Sequence, residues 1–140
     1  MRLLAIPHRT EASNAGPKLF EEALCSVCHV PALKTRSIYP IPALAGKTAP
    51  VFTDLLLHDM GVALADGLTD GMATSRQWRT APLIGLRFFQ SYLHDGRGKT
   101  IEEAIQLHHG TGSEANGSVA KFRALSASDR QELISYVSSL

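Results

Sequence analysis

Two cysteines and a histidine stand together near the start of the chain, in the stretch CSVCHVPAL at residues 25–33. Cys25 and Cys28 are three positions apart, His29 follows directly, and the 140-residue chain has no other cysteine. Such a pair can form a redox disulfide, bind zinc or attach haem. Two cysteines this close in sequence cannot form the kind of disulfide framework that stabilises small secreted domains. The pair therefore predicts a chemical site.

The redox and zinc alternatives fit the surrounding sequence poorly. A thioredoxin-like pair belongs to a βαβ pattern, whereas an apolar helical pattern at 17–24 precedes Cys25 here. A structural zinc ion needs four ligands, usually from a second Cys or His pair at similar spacing. His29 is so close to both sulfurs that all three would have to share one ion in a tight loop. Candidates to complete such a set are His58, His94, His108 and His109.

Haem attachment explains all three residues of the motif. In C-x-x-C-H, both sulfurs form thioethers to the haem vinyl groups and the adjacent histidine ligates the iron. On one helical turn Cys25 and Cys28 face the same side, and His29 is directed under the ring. The motif therefore favours one covalently attached haem c, with His29 as the proximal iron ligand.

Helical patterns account for most of the secondary structure that the sequence predicts. The apolar spacing at 17–24 predicts a helix that begins near Pro17 and runs straight into Cys25. Residues 30–50 hold four prolines and predict irregular structure. No convincing strand pair is predicted. Two helices close the chain, and each opens on a capping pair: Thr100 with Glu103, and Ser126 with Asp129. We expect the first helix to cross the last where Gly16 and Phe20 meet Leu133 and Tyr136 or Val137.

Composition excludes several classes of protein. At 140 residues and 44% hydrophobic content, the chain can bury one core, so a single domain is expected. A formal charge of +1 argues against a nucleic-acid surface, which normally carries a strong basic excess. The apolar runs are far shorter than the ~20 residues that span a bilayer, and residues 1–7 make a poor signal peptide.

The blocks that follow the motif resemble a known family. KLFEEALCSVCHVPALKT, VFTDLLLHDMGVALADG, QWRTAPLIGL, YLHDGRGKTIEEAIQLHHG and ALSASDRQELISYVSSL are similar, in order, to the C-terminal haem domain of the di-haem c-type cytochromes described as thiol oxidoreductases or peroxidases. The resemblance implies a mostly α, cytochrome c-like single domain with long loops around one haem. The domain would span 16–140, after an irregular arm at 1–15. Family members carry further haem-binding sequence upstream, so a fragment or shortened relative is expected.

The iron's sixth ligand is less clear from the sequence. A more distant similarity is to bacterial di-haem cytochrome c peroxidases, whose axial methionine lies in YMHDG, and Leu93 occupies that position here. Leucine cannot ligate iron, so Met60 from a neighbouring loop is our first choice. The alternatives are His94, Met72, His58 or a five-coordinate iron. The ordinary interpretation of Met60 is a core side chain that fills a gap.

The expected function follows from the haem and its second ligand. A methionine-ligated iron predicts an electron-transfer domain, whereas an open position predicts a peroxidase-like oxidoreductase; a module that carries no haem is a third alternative. Arg79 and Arg97 are the expected partners of the haem propionates. The partner would be a redox protein or a second haem domain. Because haem c is attached outside the cytoplasmic membrane, the resemblance implies a periplasmic location.

Overall fold

The fold is taken from a computed structural model of the chain, in which residues 15–140 are described. Except for Ala15, the predicted arm at 1–15 lies outside the described residues. The helices are α1 (Gly16–Glu22), α2 (Ile101–Leu107), α3 (Asn116–Ala124) and α4 (Ala127–Ser138). Single-turn 3-10 helices cover Cys25–Val27, Pro42–Leu44, Val62–Leu64 and Leu86–Phe88. None of these helices is long and apolar enough to span a bilayer.

Two small antiparallel sheets, which the sequence did not predict, lie between the helices. Strand β1 (Leu33–Lys34) pairs with β2 (Thr48–Ala49). Strand β3 (Leu57–Asp59) pairs with β4 (Gln77–Arg79). Strands of two or three residues are too short to show an alternating apolar pattern, so only their long-range pairing identifies them.

The predicted mostly α, cytochrome c-like fold class is therefore wrong. The described chain is 37% helical and 13% strand, and it shows no cytochrome c fold. The error has a physical origin. Helices can be predicted from capping residues and a 3.6-residue apolar period, which are local features of the sequence. The pairing of short strands depends instead on contacts between segments that are distant in sequence.

The predicted crossing of the first and last helices is confirmed. A Cβ atom added at Gly16 would lie 2.4 Å from Cβ of Tyr136, so the backbone of α1 reaches α4 only because residue 16 lacks a side chain. The rings of Phe20 and Tyr136 pack edge to face, with centroids 5.8 Å apart. Phe52 completes this cluster, 5.9 Å from Phe20 and 6.4 Å from Tyr136. Aromatic pairs prefer such geometry.

The closing part of the chain contains three helices rather than the predicted two. Both predicted caps are confirmed: the Thr100 hydroxyl accepts from the Glu103 amide at 3.0 Å, and that of Ser126 accepts from the Asp129 amide at 3.1 Å. The unpredicted helix is α3, whose first residue follows Ala115 and has no side-chain cap. Without a capping residue, the sequence gives little signal for its start.

Candidate functional site

The C-x-x-C-H motif follows a break in the helix. α1 ends at Glu22, and Leu24 takes a left-handed conformation with φ of 61° before the 3-10 turn Cys25–Val27. The predicted helix running straight into Cys25 is therefore wrong. The motif still forms a helical turn, because the His29 amide donates to the Cys25 carbonyl at 2.9 Å. Both sulfurs thus stay within one compact turn of the chain.

The two thiols are free and partly buried. Burial raises the pKa of Cys25 to about 11. Burial also raises the pKa of Cys28, and the negative charges of Asp54 and Glu114 add to this effect. Both groups therefore stay protonated as thiols at neutral pH. Protonated thiols are poor nucleophiles, so a redox role for the pair gains no support.

His29 has the environment of a metal-ligating imidazole. Its Nδ1 donates to the Phe52 carbonyl oxygen across 3.1 Å, since a carbonyl can only accept. Burial lowers the pKa of His29 to about 4, and the carbonyls of Phe52 and Ala81 oppose this shift only in part. The ring is therefore neutral, with its proton on Nδ1 and a lone pair on Nε2. A backbone acceptor of this kind fixes the tautomer of a metal-bound histidine.

Two distant segments support the motif. The amides of Phe52 and Thr53 donate to the carbonyls of Pro31 and Val30, at 3.3 and 3.0 Å. The fully buried Thr53 hydroxyl donates to the Thr80 carbonyl at 2.7 Å. The VFTD and RTAP blocks therefore meet beside His29. From the sequence alone, Arg79 was the one functional residue expected in these two stretches, and the support of His29 by Phe52, Thr53 and Thr80 was not predicted.

Strained backbone occurs at several bulky residues. Among residues 15–140, four non-glycine residues have positive φ: Leu24 (61°), Phe52 (52°), Leu55 (64°) and Leu93 (68°). Bulky residues rarely adopt this region, and such strain persists where the surrounding structure enforces it, often at functional sites. Leu24 precedes the motif, and Phe52 holds His29. Leu93 is the residue at the position where the resemblance implies an axial methionine.

A cluster of ionisable groups lies beside Cys28. Ligand atoms of Cys28, Asp54 and His58 lie within 4.8 Å of one another. His58 donates from Nε2 to Asp54 and from Nδ1 to Glu114, both at 2.8 Å. Burial alone would lower the pKa of His58, but the two carboxylates raise it overall. Both ring nitrogens of His58 are therefore held by carboxylates, and its role as an iron ligand stays a prediction.

The methionine candidates differ sharply in burial. Met60 is 8% exposed, and its amide donates to the Arg76 carbonyl at 2.8 Å. Met72 is 99% exposed. No contact between Met60 and His29 occurs among the hydrogen bonds and core contacts of residues 15–140. Met60 as the sixth ligand stays a prediction, and Met72 has the environment of an ordinary surface side chain.

His94 and Arg97 belong to a polar network around Trp78. His94 packs edge-on against Trp78, with ring centroids 3.8 Å apart, and its Nε2 lies 3.1 Å from Asp66. The Arg97 guanidinium donates to Asp95 at 2.5 Å and to the carbonyl of Ala63 at 2.8 Å. Both side chains thus already have structural partners. The expected propionate role of Arg97 remains a prediction.

Arg79, the other expected propionate partner, lies in a more exposed environment than Arg97. It lies on β4 opposite Leu57, and its side chain is exposed. Its guanidinium makes no hydrogen bond or ion pair within the part of the chain that the structure describes. A guanidinium in this state remains available to a carboxylate.

The residues around the motif fit an apolar ring. Large apolar side chains are exposed next to both cysteines and in the segment that follows Asp54. They are Leu24, Val27, Leu55, Leu56 and Leu57. Apolar side chains exposed in this number usually mark a binding surface. A neutral imidazole, two thiols and an apolar surface together match the donor set that covalent haem requires.

Comparison with known proteins gives the family of the chain. The model of a family described as "Di-haem oxidoreductase, putative peroxidase" matches residues 1–140. No curated protein and no solved structure matches the chain. Because the family match covers the whole sequence, this chain belongs to the di-haem oxidoreductase family, whose members are haem-binding redox proteins.

Proposed function

We propose that this chain is an electron-transfer domain that carries one haem c. Thioethers from Cys25 and Cys28 would attach the haem, and His29 would be the proximal iron ligand. The observation that carries the proposal is the hydrogen bond from His29 Nδ1 to the Phe52 carbonyl, 3.1 Å long. It leaves Nε2 unprotonated on a ring whose pKa is only about 4.

The chain's own residues have distinct tasks in this proposal. When bound, haem supplies an iron centre that is oxidised and reduced by one electron. Phe52 orients His29, and Thr53 holds Phe52 against the motif through the Thr80 carbonyl. The exposed Arg79 guanidinium is available to a propionate. No residue of the chain needs to transfer a proton during electron transfer.

A peroxidase-like oxidoreductase is the second candidate. The matching family is described with this activity, and Leu93 stands where related peroxidases carry an axial methionine. If Met60 does not ligate iron either, one iron position stays open to peroxide. His58 and His94 would then be the histidines to test as proton donors.

Cysteine variants test the attachment. Full-length chain is produced in a host that attaches haem c, and haem that survives a denaturing gel is detected through its peroxidase stain. We expect wild type and His109→Ala, which changes an exposed histidine, to retain the stain. The double variant Cys25→Ala, Cys28→Ala should lose it, because only thioethers survive denaturation. An unstained wild type, matured beside a control haem c protein that stains, would contradict the proposal.

A matched pair of methionine variants distinguishes an electron-transfer domain from a peroxidase-like oxidoreductase. Met60→Leu changes a buried side chain and Met72→Leu an exposed one. If Met60 is the sixth ligand, Met60→Leu should convert low-spin iron to high-spin and lower the midpoint potential, since methionine raises it. Met72→Leu should change neither. A wild-type spectrum that is already high-spin, and that responds to cyanide or peroxide, would favour the peroxidase instead.

Location and partner belong to the same proposal. Haem c attachment implies the periplasm, and the partner would be a redox protein or a second haem domain. Cell fractionation followed by haem staining tests the location. Stained protein confined to the cytoplasm would contradict it.

A further inference from the structure

A second metal-binding arrangement lies beside the haem motif. The cluster formed by Cys28, Asp54 and His58 offers a sulfur, a carboxylate oxygen and an imidazole nitrogen within 4.8 Å of one another. The three side chains come from the motif turn, the segment after Phe52 and strand β3, so the fold brings them together. All three are partly buried, with exposed fractions of 18% for His58 and 12% for Asp54. A small ion can therefore reach them.

The distances between the three ligand atoms suit a tetrahedrally coordinated ion after small side-chain movements. Zinc bonds of about 2.0–2.3 Å imply ligand atoms about 3.3–3.5 Å apart. His58 Nε2 and Asp54 Oδ2 are 2.8 Å apart around a shared proton, so they would separate slightly as an ion replaced that proton. The Cys28 sulfur lies within 4.8 Å of a ligand atom of each residue and would move inward by about 1.3–1.5 Å at most.

Glu114 is not itself a ligand in this cluster but holds the imidazole of His58 in place. Its Oε2 accepts from His58 Nδ1 at 2.8 Å, and its Oε1 accepts from the Asp59 amide at 2.9 Å. The carboxylate is thereby fixed and directs Nε2 of His58 toward Asp54 and Cys28. A carboxylate that holds the far nitrogen of a ligating histidine is common at zinc sites.

We propose that the chain, before haem is attached, binds one thiophilic divalent cation such as Zn²⁺ through Cys28, Asp54 and His58, with Glu114 as a positioning residue. The mixed sulfur, nitrogen and oxygen set favours zinc over magnesium or calcium. Binding releases one proton from the Cys28 thiol and one from His58 Nε2, and it changes no oxidation state. Water or a small ligand fills the fourth position. Because Cys28 cannot bind zinc and form a thioether together, the ion would compete with haem attachment.

Cobalt titration of the full-length, haem-free, reduced chain tests this proposal. Co²⁺ serves as the spectroscopic probe, and Zn²⁺ should displace it. We expect saturation at one ion per chain, with intense visible bands of tetrahedral cobalt and a thiolate charge-transfer band in the near ultraviolet. Cys28→Ser should remove the charge-transfer band. His58→Gln and Asp54→Asn should each weaken binding at least tenfold, and Glu114→Gln by about 10–100-fold.

Cys25→Ser is the matched control. Cys25 lies outside the cluster, and its sulfur contacts the Ala23 carbonyl instead, so this variant should bind cobalt as wild type does. Loss of binding in Cys25→Ser, together with normal binding in His58→Gln, would place the ion on the cysteine pair and overturn the proposal. Absence of binding in a wild-type chain shown to be folded by circular dichroism would also overturn it. Haem staining of matured protein is a separate measurement, so either proposal can fail alone.

Discussion

At the scale of single residues, Phe52 joins the candidate haem site to the core. Its ring packs against Phe20 and Tyr136, while its carbonyl accepts from His29. Its backbone is left-handed, with φ of 52°. A bulky residue in this conformation is strained. The core therefore fixes the orientation of the proposed iron ligand before any haem is bound.

The buried hydroxyl of Thr53 predicts a measurable loss of stability. It donates to the Thr80 carbonyl and accepts from the Leu55 amide at 2.9 Å. Thr53→Val keeps the shape but removes the hydrogen-bond partner of the buried Thr80 carbonyl and of the Leu55 amide, which should cost about 1–3 kcal/mol. Thr53→Ser keeps the hydroxyl and should cost about 1 kcal/mol for the lost methyl. Urea unfolding of the haem-free chain measures both values. A Thr53→Val variant as stable as wild type would show that the hydrogen bonds of this hydroxyl do not stabilise the fold.

At the scale of elements, the contact between α1 and α4 positions the motif. α1 leads into the turn that holds Cys25, and α4 fixes α1 through the close approach at Gly16. The left-handed Leu24 then redirects the chain, so that the 3-10 turn begins where α1 has ended. The position of both cysteines therefore depends on how tightly the two helices pack.

A pair of glycine variants tests this contact. Gly16→Ala places a Cβ atom 2.4 Å from Cβ of Tyr136, and such overpacking should destabilise the chain by about 1–3 kcal/mol. Gly117 lies near the start of α3 with nothing within 4 Å of an added Cβ. Gly117→Ala should therefore stabilise the chain by about 0.5–1 kcal/mol. Thermal unfolding measures both effects. If Gly16→Ala left the melting temperature unchanged, the helices would not be in close contact.

At the scale of the whole molecule, three partly buried histidines make stability depend on pH. Burial lowers the folded pKa of His29 from 6.5 to about 4, so its contribution is complete above pH 6.5 and is lost as the pH falls toward 4. Burial lowers the pKa of His108 too, in the same direction. The raised pKa of His58 acts oppositely: its contribution is complete below its unfolded pKa and is lost as the pH rises through the folded value.

The pH profile separates these effects. Thermal melts of the haem-free chain should show stability falling from pH 6.5 to 4. The contribution of His58 is complete below pH 6.5, so His58→Gln should leave this fall largely unchanged and should instead reduce the loss of stability as the pH rises above 6.5; the exposed control His109→Gln should alter neither limb. A reduced loss above pH 6.5 in both variants, or in neither, would contradict the assignment.

The sequence by itself determined the features that depend on local chemistry. The caps of α2 and α4 and the family of the chain were correctly inferred from it, while the haem role of Cys25, Cys28 and His29 stays a prediction. Capping and ligand spacing act within a few residues, so they leave a local record.

Only the tertiary structure decided which distant groups meet. It paired the short strands, broke the first helix at Leu24, brought the Phe52 carbonyl to His29, and placed Asp54 and His58 beside Cys28. These contacts depend on backbone carbonyls, left-handed residues and long loops. They leave no periodic pattern in the sequence, because their partners are set by packing across the whole fold rather than by neighbouring residues.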